Sequence, residues 1–390
     1  MASSPNETTK SRQERNRRVN PQSQFCHNLD CPTRGKVGEG NIRIFSQKKQ
    51  RYDCKVCDKT FTATKGTPFY RLRTAIDLVT LVLTLLVHGC PPQAIVAAFG
   101  FDERTVADWQ QRAGSHAQHL HEQLVEQGQV DLQHVQADEL WVKLVGRRVW
   151  MALAMAVPSR LWLGGVISPT RDKALITALV QRVRRSALST TILVCVDGLA
   201  SYASAFPAAF RHAVMTGRRG RPRLVLAAGF QLAQVIKHSA KRQVTSVTQR
   251  VVHGTSDGVR AVLTATRTGA MINTAYIERL NATFRSRLSC LTRRGRAIAR
   301  TQALVTAGMW LVGGSYNFCT FHQSLRAPGP PDARCKWQQR TPAMAAGLSD
   351  HRWTLKELLL YQVPPPPWVA PKRRGRPPKC TERVSTEANL

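Results

Sequence analysis

Three acids in this chain stand where phosphoryl chemistry can use them. Asp197 closes the apolar run Thr191-Ile-Leu-Val-Cys-Val-Asp197, Asp138 lies in Val135-Gln-Ala-Asp-Glu-Leu-Trp-Val-Lys143, and Glu278 lies in Asn273-Thr-Ala-Tyr-Ile-Glu-Arg-Leu-Asn281. Converging carboxylates cannot all stay ionised without countercharge, and divalent cations are the usual supply. Two Mg²⁺ or Mn²⁺ ions about 4 Å apart activate a water or a 3′-hydroxyl and stabilise the leaving oxygen of an in-line displacement. Hard oxygen donors suit these ions. Asp138 and Asp197 are expected as the principal ligands, with Glu278 completing the second metal position. Glu139 competes with Asp138, but strand alternation sends neighbours to opposite faces. Arg285 follows Glu278 by two helical turns and is expected to contact a DNA phosphate from the same side of the helix.

A second chemistry lies nearer the N-terminus. Cys26 and Cys31 have four residues between them, and Cys54 and Cys57 follow after a gap of twenty-two. Two such pairs on a short basic stretch fit one structural Zn²⁺ held by thiolates, which would fix a fold too small to hold itself. The first pair is wider than the usual knuckle, and His27 stays open as a replacement donor.

The elements that must position these groups follow from periodicity and turn residues. The run before Asp197 reads as a strand buried on both faces, ending where α/β sheets keep their ligand sites. Residues 134–145, 149–157 and 161–168 read as three strands joined by short turns, hence antiparallel neighbours. A helix over 172–186 leads into the strand that ends at Asp197. Three antiparallel strands, a crossover helix and a fourth strand give the order of a ribonuclease-H-like sheet. In that order the first strand lies beside the fourth and sets Asp138 next to Asp197. Ile277, Leu280, Phe284 and Leu288 mark the apolar stripe of a helix over 273–291 that carries Glu278.

Upstream, residues 74–118 read as helices. Pro91 and Pro92 open a short one that Gly100 closes, and Asp102 caps the next. Two helices across a tight turn match a helix-turn-helix, whose second helix offers Arg104, Thr105, Gln110 and Arg112 to a DNA groove. Trp109 is expected to anchor that helix internally. His116, His119 and His121 fall on its polar continuation and are expected to be solvated.

The domains expected are a disordered basic arm over 1–24, a zinc ribbon over 25–66 and the helix-turn-helix over 70–127. The catalytic α/β domain spans 130–326 with a basic insertion at 215–256. C-terminal helices at 335–362, tied back through Trp353, Leu358 and Leu359, precede a basic tail over 363–390. In that tail Arg374 and Arg376 sit in an Arg-Gly-Arg-Pro motif resembling an AT-hook, whose arginines fit a narrow minor groove.

The composition points to the same partner. Lys and Arg number 57 against 24 Asp and Glu, a formal charge of +33 that calls for a polyanion, nucleic acid first. No stretch has the length and continuity of a membrane span, and the first residues lack a secretory pattern. A reduced, cytoplasmic location is therefore expected, with the ten cysteines as thiols or metal ligands.

Asp138-Glu-Leu-Trp141, Val196-Asp-Gly198 and Asn273-Thr-Ala-Tyr-Ile-Glu278-Arg-Leu-Asn resemble the three signatures of DDE transposases of bacterial insertion sequences, the insertion-sequence-one type in particular. The Tyr52-Asp-Cys-Lys-Val-Cys-Asp-Lys-Thr-Phe-Thr62 ribbon and the helix-turn-helix are similar to that family's terminal-repeat-binding region. The resemblance implies a ribonuclease-H-like catalytic domain that cleaves and joins double-stranded DNA at terminal inverted repeats and target, as a nucleoid-associated homo-oligomer. A DNA-binding regulator derived from such an enzyme, without cleavage, is the alternative. A ribonuclease-H-like nuclease that does not rejoin ends is a third reading.

Overall fold

The computed structural model describes residues 20–215, 220–240, 243–292, 297–329 and 336–370. It divides into two units, residues 1–65 with 364–390 and residues 66–363. The AT-hook-like motif with Arg374 and Arg376 lies outside the described residues.

The smaller unit is a three-stranded antiparallel sheet of β1 (Ile42–Ser46), β2 (Arg51–Cys54) and β3 (Thr60–Thr62). Its core holds little more than Ile42, Tyr52 and Phe61 around the buried Cys26, Cys31 and Cys54. Such a core is too small to hold itself, so cross-linking must supply the difference. Within the expected N-terminal arm, residues 20–24 take defined structure: Pro21–Ser23 form one 3₁₀ turn, capped by the Asn20 side chain.

The larger unit begins with α1 (Ile76–Val87), α2 (Pro92–Phe99) and α3 (Glu103–Leu124). Gly100 closes α2 in the left-handed conformation at φ +69°, where a side chain would be strained. The Asp102 carboxylate then accepts the Arg104 N–H to start α3. Trp109 is buried, as its anchoring role requires.

A six-stranded mixed sheet forms the centre, ordered β11-β10-β7-β4-β5-β6. Its strands are β4 (His134–Leu144), β5 (Arg147–Ala156), β6 (Leu161–Ser168), β7 (Leu193–Asp197), β10 (Gln231–Ala240) and β11 (Gln243–His253). A separate hairpin pairs β8 (Arg211–Val214) with β9 (Arg223–Leu226). Helix α4 (Lys173–Ser186) crosses between β6 and β7, and α5 (Ala200–Ala209) follows β7. Beyond the sheet come α6 (Ser256–Thr266), α7 (Ala275–Arg287) and α8 (Gln302–Gly314). Helices α7 and α8 pack on one face, where Trp162 of β6 meets Phe284 and Trp310. Helix α5 lies on the other, where Tyr202 reaches Glu139.

Half of the stretch 215–256, expected as an insertion, is part of this sheet. β10 runs parallel to β7 over Gln231 to Val235, and β11 pairs antiparallel with β10. Leu232 and Ala233 are fully buried, so apolar positions inside a basic segment bind it to the core. The histidine expectation holds for His119, which is exposed, and needs correction for the other two. His116 is buried and its Nε2 lies 3.1 Å from the Leu358 carbonyl, while His121 is enclosed between the Trp162 and Trp310 rings near Glu126. α3 packs against α8 and the C-terminal α9 (Leu355–Leu360), so its polar continuation has no solvent side at these two positions. Burial holds His121 neutral, its pKa lowered to about 3. Trp353, Leu358 and Leu359 are buried, as expected of the C-terminal tie.

Candidate functional site

The acidic site is built by adjacent parallel strands. β4 and β7 pair with Ala137 opposite Val196, which places Asp138 and Asp197 side by side at the next register position. Asp197 ends its strand, and its Oδ1 accepts the Leu199 N–H at 3.0 Å, so the carboxylate itself turns the chain into α5. Asp138, Glu139 and Asp197 each bring a carboxylate oxygen within 4.8 Å of the others. Alternation does give Asp138 and Glu139 different partners: Asp138 Oδ2 accepts from Asn281 of α7 at 2.7 Å, and Glu139 accepts from Tyr202 of α5 at 2.7 Å. It does not separate their charges, because both bring an oxygen within 4.8 Å of the Asp197 carboxylate at the end of β7.

Glu278 arrives from α7 and lines the same open cavity of about 480 Å³ with Asp138 and Asp197. It stands outside the tight group of three. Its Oε1 accepts from Lys237 Nζ at 2.5 Å and from the Thr274 hydroxyl at 3.0 Å. The device that docks this helix is Gln136, two residues before Asp138 and fully buried. Its Oε1 accepts the Tyr276 and Ile277 N–H groups at 3.1 and 3.0 Å, and its Nε2 donates to the Asn273 carbonyl at 2.8 Å. The first turn of α7 is thereby satisfied from β4 rather than by its own cap residue.

The electrostatics are those of a site short of cations. Burial, then the Glu139 charge, with smaller contributions from Asp197 and Glu278, raise the Asp138 pKa to about 7 against the pull of the Glu139 N–H. Burial and Asp197 push Glu139 up as well, opposed by its bonds to Tyr202 and Arg171. Arg171 answers part of the charge: its Nε donates to Glu139 Oε1 at 2.5 Å and its Nη2 to Asp197 Oδ2 at 3.3 Å. The three clustered carboxylates are hard oxygen donors, so the group could hold a metal ion that prefers oxygen.

The cysteine site is of the opposite kind. Cys26, Cys31, Cys54 and Cys57 bring their sulfurs within 4.8 Å of one another, with 3.6 Å between Cys26 and Cys57 and 3.8 Å between Cys31 and Cys54. Tetrahedral bonds of about 2.3 Å to zinc put sulfurs about 3.8 Å apart, so the four thiols fit one Zn²⁺. Burial opposes ionisation of Cys54, yet the Thr33 hydroxyl and the Val56 and Cys57 N–H groups bring it down to about 7. His27 is no part of this set; its ring packs between Phe25 and Phe61.

The remaining expected contacts are scattered on α3 and α7. Arg104 is exposed and Thr105 half-buried. Gln110 donates to the Leu304 carbonyl at 3.1 Å, and Arg112 holds Asp108 and the Tyr70 carbonyl. Arg285 lies two turns beyond Glu278 on α7, half-buried. Glu139 was weighed only as a competitor of Asp138 on the opposite face, yet it joins the group; Arg171, Lys237, Gln136 and Asn281 escaped sequence reasoning. Of these only Asn281 carried a local signal, three residues after Glu278 and hence on its helix face.

No family model matches the sequence. No curated protein matches it either. Among the described residues no helix is long and apolar enough to cross a membrane.

Proposed function

We propose that this chain is a DDE-type transposase, with a ribonuclease-H-like catalytic domain, a zinc ribbon and a helix-turn-helix. It would bind terminal inverted repeats in double-stranded DNA and cut and transfer the strand as a homo-oligomer. The observation that carries this reading is the placement of Asp138 and Asp197 on adjacent parallel strands, with Glu278 across one open cavity. The chain carries a formal charge of +33 and yet holds an acidic cavity, the combination that suits divalent cations bound beside a phosphate backbone.

Asp138 and Asp197 would hold the metal, with Glu139 or Glu278 completing the set. Bound Mg²⁺ or Mn²⁺ supplies charge stabilisation and a more acidic nucleophile. Asn281 fixes the Asp138 carboxylate and Gln136 fixes the helix of Glu278, so the acids are held before substrate arrives. Arg171 and Lys237 carry the countercharge that a phosphate entering the cavity would meet first. In the ribbon, zinc is a clamp and takes no part in the chemistry.

Strand cleavage and transfer with Mg²⁺, using the DNA that flanks this reading frame, tests the proposal. Asp197→Asn should lower joining by more than about 100-fold, the scale reached when even an outer partner of a bound metal is lost. Undiminished joining would overturn it. The engagement of the acids by Arg171 and Lys237 favours one second reading, a DNA-binding regulator without cleavage. Retarded DNA with no nicking under Mg²⁺ or Mn²⁺ would carry that one instead.

A further inference from the structure

Beyond Glu139 the hairpin of β4 and β5 has two unlike faces. Val142, Leu144, Val149 and Met151 are buried on one and fix the register. On the other, Trp141 sits directly opposite Trp150, and Lys143 opposite Arg148. Trp141 is 52% exposed although its neighbours in the hairpin's core face are fully covered. The ordinary account of a cross-strand aromatic pair is sheet stabilisation of roughly 0.2–1 kcal/mol. It does not explain why the Trp141 ring faces solvent among cations.

The cations are arranged on the rings. The Arg148 guanidinium lies 5.0 Å from the Trp141 ring centre, and Arg171 lies 5.1 Å from that of Trp150. Lys143 is exposed beside them. Arg171 also lines the acidic cavity and bonds to Asp197. An aromatic and basic strip therefore runs from the hairpin to the rim of the acidic site without interruption.

Planar rings interleaved with guanidinium groups suit one class of ligand. Unpaired nucleobases stack on such surfaces while the cations hold the phosphates, and each stacked base contributes roughly five- to hundredfold in affinity. Bases inside a duplex keep their faces covered by their own neighbours and cannot use the rings.

We propose that Trp141, Arg148, Trp150 and Arg171 form a stacking platform for unpaired nucleotides next to the phosphate that enters the acidic cavity. The inference rests on the DNA-processing reading above and specifies the form of its substrate: a strand splayed from the duplex on one side of the reaction point. Trp141 positions this strand and touches no reacting atom.

The test uses the full-length zinc-loaded protein and two labelled DNAs, a blunt duplex and the same duplex with a single-stranded oligo-dT tail carrying one 2-aminopurine. The tailed DNA should bind about tenfold tighter, with its 2-aminopurine fluorescence quenched. Trp141→Ala should abolish that preference and the quenching while leaving blunt-duplex binding unchanged and lowering the thermal melt only by the small share of the cross-strand pair. Trp141→Phe should retain part of both. Equal affinity for the two DNAs, or a preference that survives Trp141→Ala, would overturn the platform. So would Trp141-dependent binding to phosphatidylserine vesicles in place of DNA. Plasmid nicking with Mg²⁺ separates the two levels. Wild-type protein that nicks but shows no preference for the tail keeps the transposase reading and loses the platform. A Trp141-dependent preference with no nicking does the reverse.

Discussion

The two candidate metal centres differ in how their donors are brought together. In the ribbon, each pair of cysteines is local in sequence, all four sulfurs converge, and three of the four residues are buried. At the end of β7 the donors come from separate strands and a helix, and they face an open cavity. The four sulfurs could close around an ion, whereas the carboxylates leave room for something else. A closed set of soft donors supports a fold; an open set of hard donors, with Arg171 and Lys237 standing among them, serves a ligand that arrives later. Loss of metal should therefore unfold one region and only disarm the other.

The largest expected effect lies in the ribbon. Structural zinc contributes about 10–16 kcal/mol in apparent terms to comparably small zinc-finger peptides, and the core of Ile42, Tyr52 and Phe61 has no substitute for it. Cys54→Ser should remove the bound zinc and open residues 20–65 to limited proteolysis, while the thermal transition of residues 66–363 stays in place. Zinc measured by atomic absorption and protease mapping check this together. A variant that keeps its zinc and its protease resistance would erase the contrast between the two centres.

In the acidic cavity the same logic runs in reverse, because clustering the acids is a strain until a cation arrives. Asp138 has its pKa raised from 3.8 to about 7 by burial and by its acidic neighbours. A carboxyl raised in the folded state costs nothing below its unfolded value, costs progressively more between pH 4 and 7, and bears the full penalty above. The shift has an upper bound of about 4 kcal/mol at 1.36 kcal/mol per unit, and screening through the open cavity reduces it. Asn at this position also keeps only one of the two acceptors that face Asn281 and the Glu139 N–H. Zinc-loaded protein freed of Mg²⁺ and Mn²⁺ should thus be stabilised by about 1–2 kcal/mol at pH 8 by Asp138→Asn, with the gain gone at pH 4. Denaturant melts across that range check it. A variant less stable than wild type at pH 8 would show that Asp138 is a structural acid rather than a strained one.

What was legible in the sequence follows from the range of each interaction. Strands β4 to β7, the crossover α4 and the stripe of Ile277, Leu280 and Phe284 were written in local periodicity. The adjacency of Asp138 and Asp197 followed because short turns and one crossover leave few ways to order the strands. The engagement of Glu139 by Arg171 was not legible, since strand alternation is blind to how close a carboxylate comes to one at the end of a neighbouring strand. Neither was β10, where basic composition hid the buried positions of Leu232 and Ala233. His116 and His121 were misjudged for a related reason. A polar residue type indicates solvent only when the helix has a solvent side, and α3 is enclosed there by α8 and the C-terminal turns.

The smallest effect on stability, and the sharpest test of how the acids divide their work, concerns Lys237. Its ion pair with Glu278 joins two side chains that are each 47% exposed. Exposed pairs contribute about 0–1 kcal/mol, so Lys237→Met should leave the melting transition almost unmoved. Its effect on metal should be larger. A cationic side chain on the cavity wall repels an incoming divalent ion and occupies one of the carboxylates that the ion could use. Removing one unit charge a few ångströms away at an effective dielectric near 20 is a change of about 1–4 kcal/mol before screening by salt. Mn²⁺ titrated into the zinc-loaded variant should therefore bind severalfold tighter than into wild type, with the difference shrinking as ionic strength rises. Combining the change with Glu278→Gln decides which acid completes the set. If the gain disappears in the double variant, Glu278 joins Asp138 and Asp197 around the ion once Lys237 is gone. If the gain persists, Glu139 fills that place, and Glu278 serves to hold Lys237 at the cavity wall.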